Sequence, residues 1–233
     1  MVHSNPAVLA LIPCAGVGAR AGCAQPKQYE PLAGQMLVRH TLAAFDAVER
    51  VARIVAVTAP TDRTLAMLQG RWEIAACGGA SRAASVLGGL NHLRATGACD
   101  DDWVLVHDAA RCLVTPALIG ALIDACLPDA VGGLLALPLA DTLKSERDGR
   151  SAATLDRHGK WLAQTPQMFR LGALHAALAA HAANGFTGIT DEAGAMEAAG
   201  FAPLLVRGSA QNIKVTVPED FALAEAILRS RAP

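Results

Sequence analysis

Short apolar runs alternate along this chain with longer stretches whose apolar positions recur at helical spacing. Val8–Pro13, Arg53–Thr58, Trp72–Ala76, Val104–His107 and Gly133–Leu137 predict strands. Between them, Leu37–Val48, Thr61–Gln69, Arg82–Arg94 and Pro116–Leu127 predict helices. Runs such as VLALI and VLVH are apolar at every position, so they suit strands covered on both faces. The expected fold class is therefore α/β: a doubly wound, mostly parallel sheet with helices on each side.

The rhythm breaks between Ala140 and Pro166, where the chain is charged, carries glycine turns and has no sustained helical face. This stretch predicts an insertion at about 140–166, a projecting β-arm. An exposed arm leaves an unpaired edge, which makes a symmetric partner the economical expectation. The regular pattern resumes with helices at Leu171–Ala183 and Asp191–Ala199, a short strand at Pro203–Val206 and a last strand at Ile213–Val217. A terminal helix then opens on Pro218, with Glu219 and Asp220 in its first turn. No repeat or second domain is visible, so residues 1–233 read as one domain.

Composition changes this picture little. Hydrophobic residues make up 52% of the 233 positions, but much of that is alanine, which buries little area. The richest stretch, Val131–Ala140, is half the roughly 20 residues a membrane span needs and is broken by Gly and Pro. The apolar start Ala7–Ile12 has no Lys or Arg before it and ends at Pro13, so it reads as a first strand, not a signal peptide. A net charge of -1 gives no general attraction to nucleic acid or anionic lipid, so any anion must be captured locally. The six cysteines (Cys14, Cys23, Cys77, Cys99, Cys112, Cys126) form no C-x-x-C pair and read as buried thiols of a cytoplasmic protein.

Ligands of open α/β sheets gather at the carboxyl ends of the strands, so the segments following each strand are the places to look for chemistry. After the first strand, Gly16, Gly18 and Ala21 formally satisfy the dinucleotide fingerprint. Gly22, Pro26 and Pro31 forbid the helix that this motif requires, however, and no Walker sequence is present. What remains is a long glycine loop with two cations, Arg20 and Lys27: either a mobile surface loop or a cradle for a triphosphate. Lysine occurs at only four positions (Lys27, Lys144, Lys160, Lys214), with arginine supplying the other basic charges, and this favours the cradle. Gly78-Gly79 leading to Ser81 reads foremost as a strand-to-helix turn capped by Ser81. Asp108, at the end of the fourth strand, suits either a magnesium ligand or a helix cap or ion pair. His107 reads as part of the buried strand. Arg157 and Lys214 taken singly read as surface charges, although Lys214 is flanked by apolar Ile213 and Val215.

The series P-x-A-G-x-G-x-R at Pro13–Arg20, PKQY at Pro26–Tyr29, VHDAAR at Val106–Arg111, TLDR at Thr154–Arg157, QTPQ at Gln164–Gln167, ITDEA at Ile189–Ala193 and NIKVT at Asn212–Thr216 resembles the 2-C-methyl-D-erythritol 4-phosphate cytidylyltransferase family. The likeness runs from about Val8 to Leu228. It implies a Rossmann-like homodimer joined through its β-arms, which transfers CMP from CTP to the methylerythritol phosphate with magnesium or another divalent cation. Carried over position by position, it implies that Arg20 and Lys27 stabilise the transition state and that Arg157 and Lys214 position the acceptor phosphate. Cys14, Ala15, Gly16, Gly18, Gly79 and Ser85 would hold the nucleotide. Asp108 would serve metal and substrate, and Arg111, Thr142, Thr165 and Thr190 would contact substrate.

Three positions depart from the family's usual residues. Cys14 replaces a small Ala, Ala80 an Asp, and Cys112 a Pro. Backbone contacts survive these changes, so base discrimination, through Ala80, is the property most exposed to them. Two rival readings are a cytidylyltransferase for another polyol phosphate such as ribitol 5-phosphate and a non-catalytic nucleotide sensor.

Overall fold

The computed structural model describes residues 5–16 and 25–231. The chain opens with β1 (Val8–Pro13) and, after a short turn at Lys27–Tyr29, forms a small ribbon of β2 (Pro31–Leu32) and β3 (Gln35–Met36). Then come α1 (Leu37–Asp46), β4 (Val51–Val57), β5 (Trp72–Ala75), α2 (Arg82–Ala95), β6 (Trp103–Val106), α3 (Pro116–Cys126) and β7 (Gly132–Pro138). A hairpin of β8 (Leu143–Arg147) and β9 (Arg150–Leu155) follows, then β10 (Trp161–Arg170), α4 (Leu171–Ala179), α5 (Glu192–Ala198), β11 (Leu204–Arg207) and α6 (Pro218–Ser230).

Seven strands form one sheet in the order β11-β7-β10-β6-β1-β4-β5, with β10 antiparallel to both its neighbours and the other pairs parallel. Strand alternation sorts the core into two layers. Ala10, Ile12, Ile54 and Leu105 face α1 and α3 through Val38, Leu42, Phe45, Ile119 and Leu122. Leu9, Leu11, Val55, Val57 and Val104 face α2 and α4 through Val86, Leu90, Leu174 and Leu178. Both faces are covered, as the continuous apolar runs require. A third cluster, Leu37, Leu113 and Val215 with Ala224, pins α6 to the start of α1.

Four expectations need correction. Thr61–Gln69 is no α-helix; it holds only a short turn at Thr64–Met67. The Asp62 carboxylate accepts from the Thr64 amide two residues on and from the Tyr29 hydroxyl, a local arrangement that competes with helix initiation. The insertion is narrower than 140–166, because β10 starts at Trp161 and enters the central sheet. Its polar centre, Gln164, Thr165 and Gln167, is buried, and its register against β7 shifts between Ala163 and Gln167, around Pro166. Ile213–Val217 joins no sheet: it is an extended segment held by the Val215 amide donating to Ala110 O at 2.9 Å. Of the described cysteines, Cys14, Cys112 and Cys126 are buried, but Cys77 is half-buried and Cys99 exposed. Among the described residues no helix is long and apolar enough to cross a membrane.

Candidate active site

At the carboxyl ends of β1, β5 and β6 three segments surround a cleft of about 490 Å³. The first follows β1. The Cys14 amide donates to Val57 O, and the buried Gln28 side chain donates from Nε2 to Cys14 O at 2.7 Å and Gly16 O at 2.9 Å. Gln28 thereby consumes two carbonyls of the loop, so neither is left unpaired toward an anion. The second segment follows β5. A Cβ at Gly78 would lie 2.3 Å from the Ala15 Cβ and 2.8 Å from Thr58 O, so glycine alone lets the two loops approach this closely. Ser81 caps α2 by accepting from the Ala84 amide, and the Gly79 amide donates to the buried Ser85 Oγ at 3.1 Å.

The third segment follows β6 and carries the charge. Asp108 Oδ1 accepts from Arg82 Nε at 2.6 Å, and Oδ2 pairs with Lys214 Nζ at 2.7 Å, with Arg111 Nε at 3.9 Å. Burial alone would raise the Asp108 carboxyl, but the Arg82 and Lys214 cations beside it hold it well below the usual carboxylate range. Arg82 also grips Glu192, which is almost fully buried, with Nη1 at 2.6 Å and Nη2 at 3.0 Å. Beneath Asp108, the Thr165 hydroxyl accepts from the Asp108 amide at 3.0 Å and pairs with His107 Nδ1 at 3.0 Å, while His107 Nε2 meets Arg111 O at 3.1 Å. A carbonyl can only accept, so Nε2 carries the proton and Nδ1 receives the hydroxyl. Burial pushes the imidazole down to about 4, which keeps it neutral at pH 7.

The cleft is lined by Cys14, Ala15, Gly16, Lys27, Gly79, Ser85, Asp108 and Lys214 among the residues singled out from sequence. Lys27 donates to Val215 O at 2.7 Å, which ties it to the segment bearing Lys214. Gly18 and Arg20 lie outside the described residues. Thr165 is buried behind Asp108, and Arg111 donates from Nη1 to Asn212 O and from Nη2 to Ala163 O, while its buried Nε has no hydrogen-bond partner and lies 3.9 Å from Asp108 Oδ2. Thr190 is exposed beside a smaller cavity of about 110 Å³ that shares Ser81 and Arg82 with the main one. Thr142 and Arg157 are exposed at the arm and do not line this chain's cleft; Arg157 donates to Ala140 O. Sequence reasoning passed over Arg82, Gln28 and Glu192. The available signals were an Arg directly after the Ser81 cap and a Glu directly after the Asp191 cap, and neither means anything until α2 and α5 are placed side by side.

No cluster of three or more His, Cys, Asp or Glu residues forms among the described residues. Asp108 is a lone carboxylate with a cation on each oxygen, each oxygen retaining a second lone pair. Such a carboxylate could take one place on a divalent ion whose other places are filled by phosphate oxygens and water.

The family model for 2-C-methyl-D-erythritol 4-phosphate cytidylyltransferase matches residues 8–230. This chain belongs to that family. It is 54% identical over 230 residues to the enzyme of that name from Paraburkholderia xenovorans, covering 95% of this chain and 96% of the relative. It is 60% identical to the bifunctional enzyme IspD/IspF of Albidiferax ferrireducens, covering 98% of this chain but spanning only 54% of that longer protein. Among solved structures, a 4-diphosphocytidyl-2C-methyl-D-erythritol synthase superposes with TM-score 0.85 at 38% identity, covering 97% of this chain and 100% of the other. The Francisella tularensis 2-C-methyl-D-erythritol 4-phosphate cytidylyltransferase superposes with TM-score 0.81 at 32% identity, over 94% and 99% of the two chains. The mostly parallel seven-stranded α/β sheet of this chain matches the fold of these structures.

Proposed function

We propose that this chain transfers the cytidylyl group of CTP to 2-C-methyl-D-erythritol 4-phosphate, releasing diphosphate. The observation that carries this reading is the meeting of Lys27 and Lys214 with two glycine segments and the clamped Asp108 in one cleft at the strand ends. An oxygen of the acceptor's phosphate attacks the α-phosphorus of CTP; that P–O bond forms as the bond to the leaving diphosphate breaks. The nucleophile is already an anion, so no general base is needed. His107, neutral, buried and hydrogen-bonded at both ring nitrogens, is not available as one. The work left to the protein is to hold two mutually repelling anions in line and to offset charge on the departing oxygens.

The loop from Cys14 to Gly16 and the turn at Gly79 and Ser85 hold the nucleotide, with Ala80 offering only backbone to the base. Lys27 offsets the developing charge, a role the family resemblance gives also to Arg20, and Lys214 orients the acceptor phosphate. Asp108 is the residue that would hold a magnesium ion delivered on the triphosphate; when bound, that ion supplies further charge neutralisation. Diphosphate release measured with four nucleoside triphosphates and several acceptors tests this reading. CTP with methylerythritol phosphate should exceed CTP with ribitol 5-phosphate by about 100-fold, because an acceptor site built on polar contacts rejects a mismatched polyol strongly. Equal rates with the two acceptors would replace it with the broader polyol-phosphate activity, and tight CTP binding without release would favour a sensor.

Thr142 and Arg157 flank the exposed hairpin of β8 and β9 and are not among the residues lining their own cleft, so on this reading they complete the site of a second copy. Mixing inactive Arg157→Ala and Lys27→Ala subunits should then restore roughly a quarter of wild-type activity, because half of the randomly paired dimers regain one intact site. No recovery after subunit exchange would return Arg157 to its own chain.

A further inference from the structure

Arg82 stands where the two cavities meet. It is the first residue of α2, and it lines both the main cleft and the smaller cavity bordered by Thr190, Asp191 and Glu192. Nε is given to Asp108 and the two terminal nitrogens to Glu192, a side chain only 1% exposed. A fork gripping two acids on two different elements fixes their separation as well as their charge. Asp191 next door caps α5 through the Gly194 amide and accepts from Gln167 Nε2, so the wall beside Glu192 is itself firmly held.

We propose that Arg82 is a positioning residue that keeps two parts of the acceptor side in register, the Thr190–Glu192 wall and Lys214, by joining the wall to the Asp108 carboxylate that holds Lys214. This rests on the cytidylyl-transfer reading, in which Lys214 orients the acceptor phosphate and the family resemblance gives Thr190 a substrate contact. Neither Arg82 nor Glu192 needs to touch a reacting atom; both act through the placement of Asp108 and of the wall. Other parts of the nucleotide site, the amides near Cys14 to Gly16 and the turn at Gly79, are set by Gln28, Gly78 and Ser85 and do not depend on the fork.

That independence makes the proposal testable by its split between substrates. In Arg82→Lys an ammonium can satisfy one carboxylate geometry but not both, so the fold is retained while register is lost. The acceptor KM should rise, and kcat should fall, each by about tenfold, while the KM for CTP stays within about threefold, as expected when misplacement and not nucleotide binding is at fault. Glu192→Gln, which keeps the shape and one acceptor, should show the same split at smaller size and carries the test if Arg82→Lys does not fold. Rates are referred to active sites titrated with CTP, and unfolding midpoints are measured alongside. A purely structural role would lower the midpoint and the active fraction but leave both KM values alone, and that result overturns the proposal, as does an equal rise in both KM values. Failure of the wild-type protein to release diphosphate from CTP and methylerythritol phosphate would instead sink the underlying reaction, so the two failures are distinguishable.

Discussion

Lys27→Ala lowers turnover by about 10²- to 10³-fold, the usual cost of removing one preorganised donor from developing negative charge. The structure sharpens why this lysine and not merely its charge matters. Lys27 opens a three-residue turn directly after Pro26, and its Nζ reaches Val215 O at 2.7 Å across 188 residues of sequence. The same turn places Gln28, which ties down the carbonyls of Cys14 and Gly16. Lys27→Arg keeps the charge but replaces a compact ammonium with a planar fork in a crowded place, so it too should lose most of the activity. Steady-state diphosphate release, with urea unfolding to show that the fold stands, checks both variants. Near-normal turnover in a folded Lys27→Ala protein removes this residue from the mechanism.

What could be read before any coordinates was whatever depends on local pattern. The strands β1 and β6 announce themselves by uninterrupted apolar runs, β4 and β7 by the shorter apolar stretches Ile54–Val57 and Leu134–Leu137, and α2 and α3 by helical spacing, with Ser81 capping α2. β10 was hidden because its buried centre is polar: Gln164 and Thr165 are inside to serve Ser209, Asn212 and Asp108, a role visible only in three dimensions. Ile213–Val217 misled in the opposite way. Its alternating apolar residues look like a strand, yet Val215 packs beside Leu37 and Leu113 while its carbonyl faces Lys27, so the segment braces the site and joins no sheet. The candidate lysines and Asp108 were legible because lysine is scarce here and the acid follows a strand. Arg82 was not, because in a chain rich in arginine its type says nothing and its two partners lie 26 and 110 residues away.

Asp108→Asn abolishes most activity and also destabilises the protein, by about 1.5–3 kcal/mol at neutral pH, the range for lost hydrogen bonds to charged groups, since the Arg82 and Lys214 side chains stay 27% and 37% exposed. The cause is local. Asp108 has a side chain only 10% exposed and answers Arg82 at 2.6 Å and Lys214 at 2.7 Å, so an amide in its place turns an NH₂ toward a cation. The pH dependence separates this from a packing defect. Burial raises the carboxyl, but the attraction of Arg82 and then Lys214, with their hydrogen bonds, outweighs it and leaves the folded-state value depressed. A depressed folded-state value contributes stability that is fully present above the unfolded carboxylate value of about 3.9 and is lost as pH falls through the folded-state one. The stability gap between wild type and Asp108→Asn should therefore be widest near pH 7 and narrow progressively below about pH 4. Urea unfolding of both proteins from pH 7 down to the onset of acid unfolding measures that gap. A gap that stays constant on acidification means that Asp108 is held by shape alone, and then the cation cluster around it cannot be what organises the cleft.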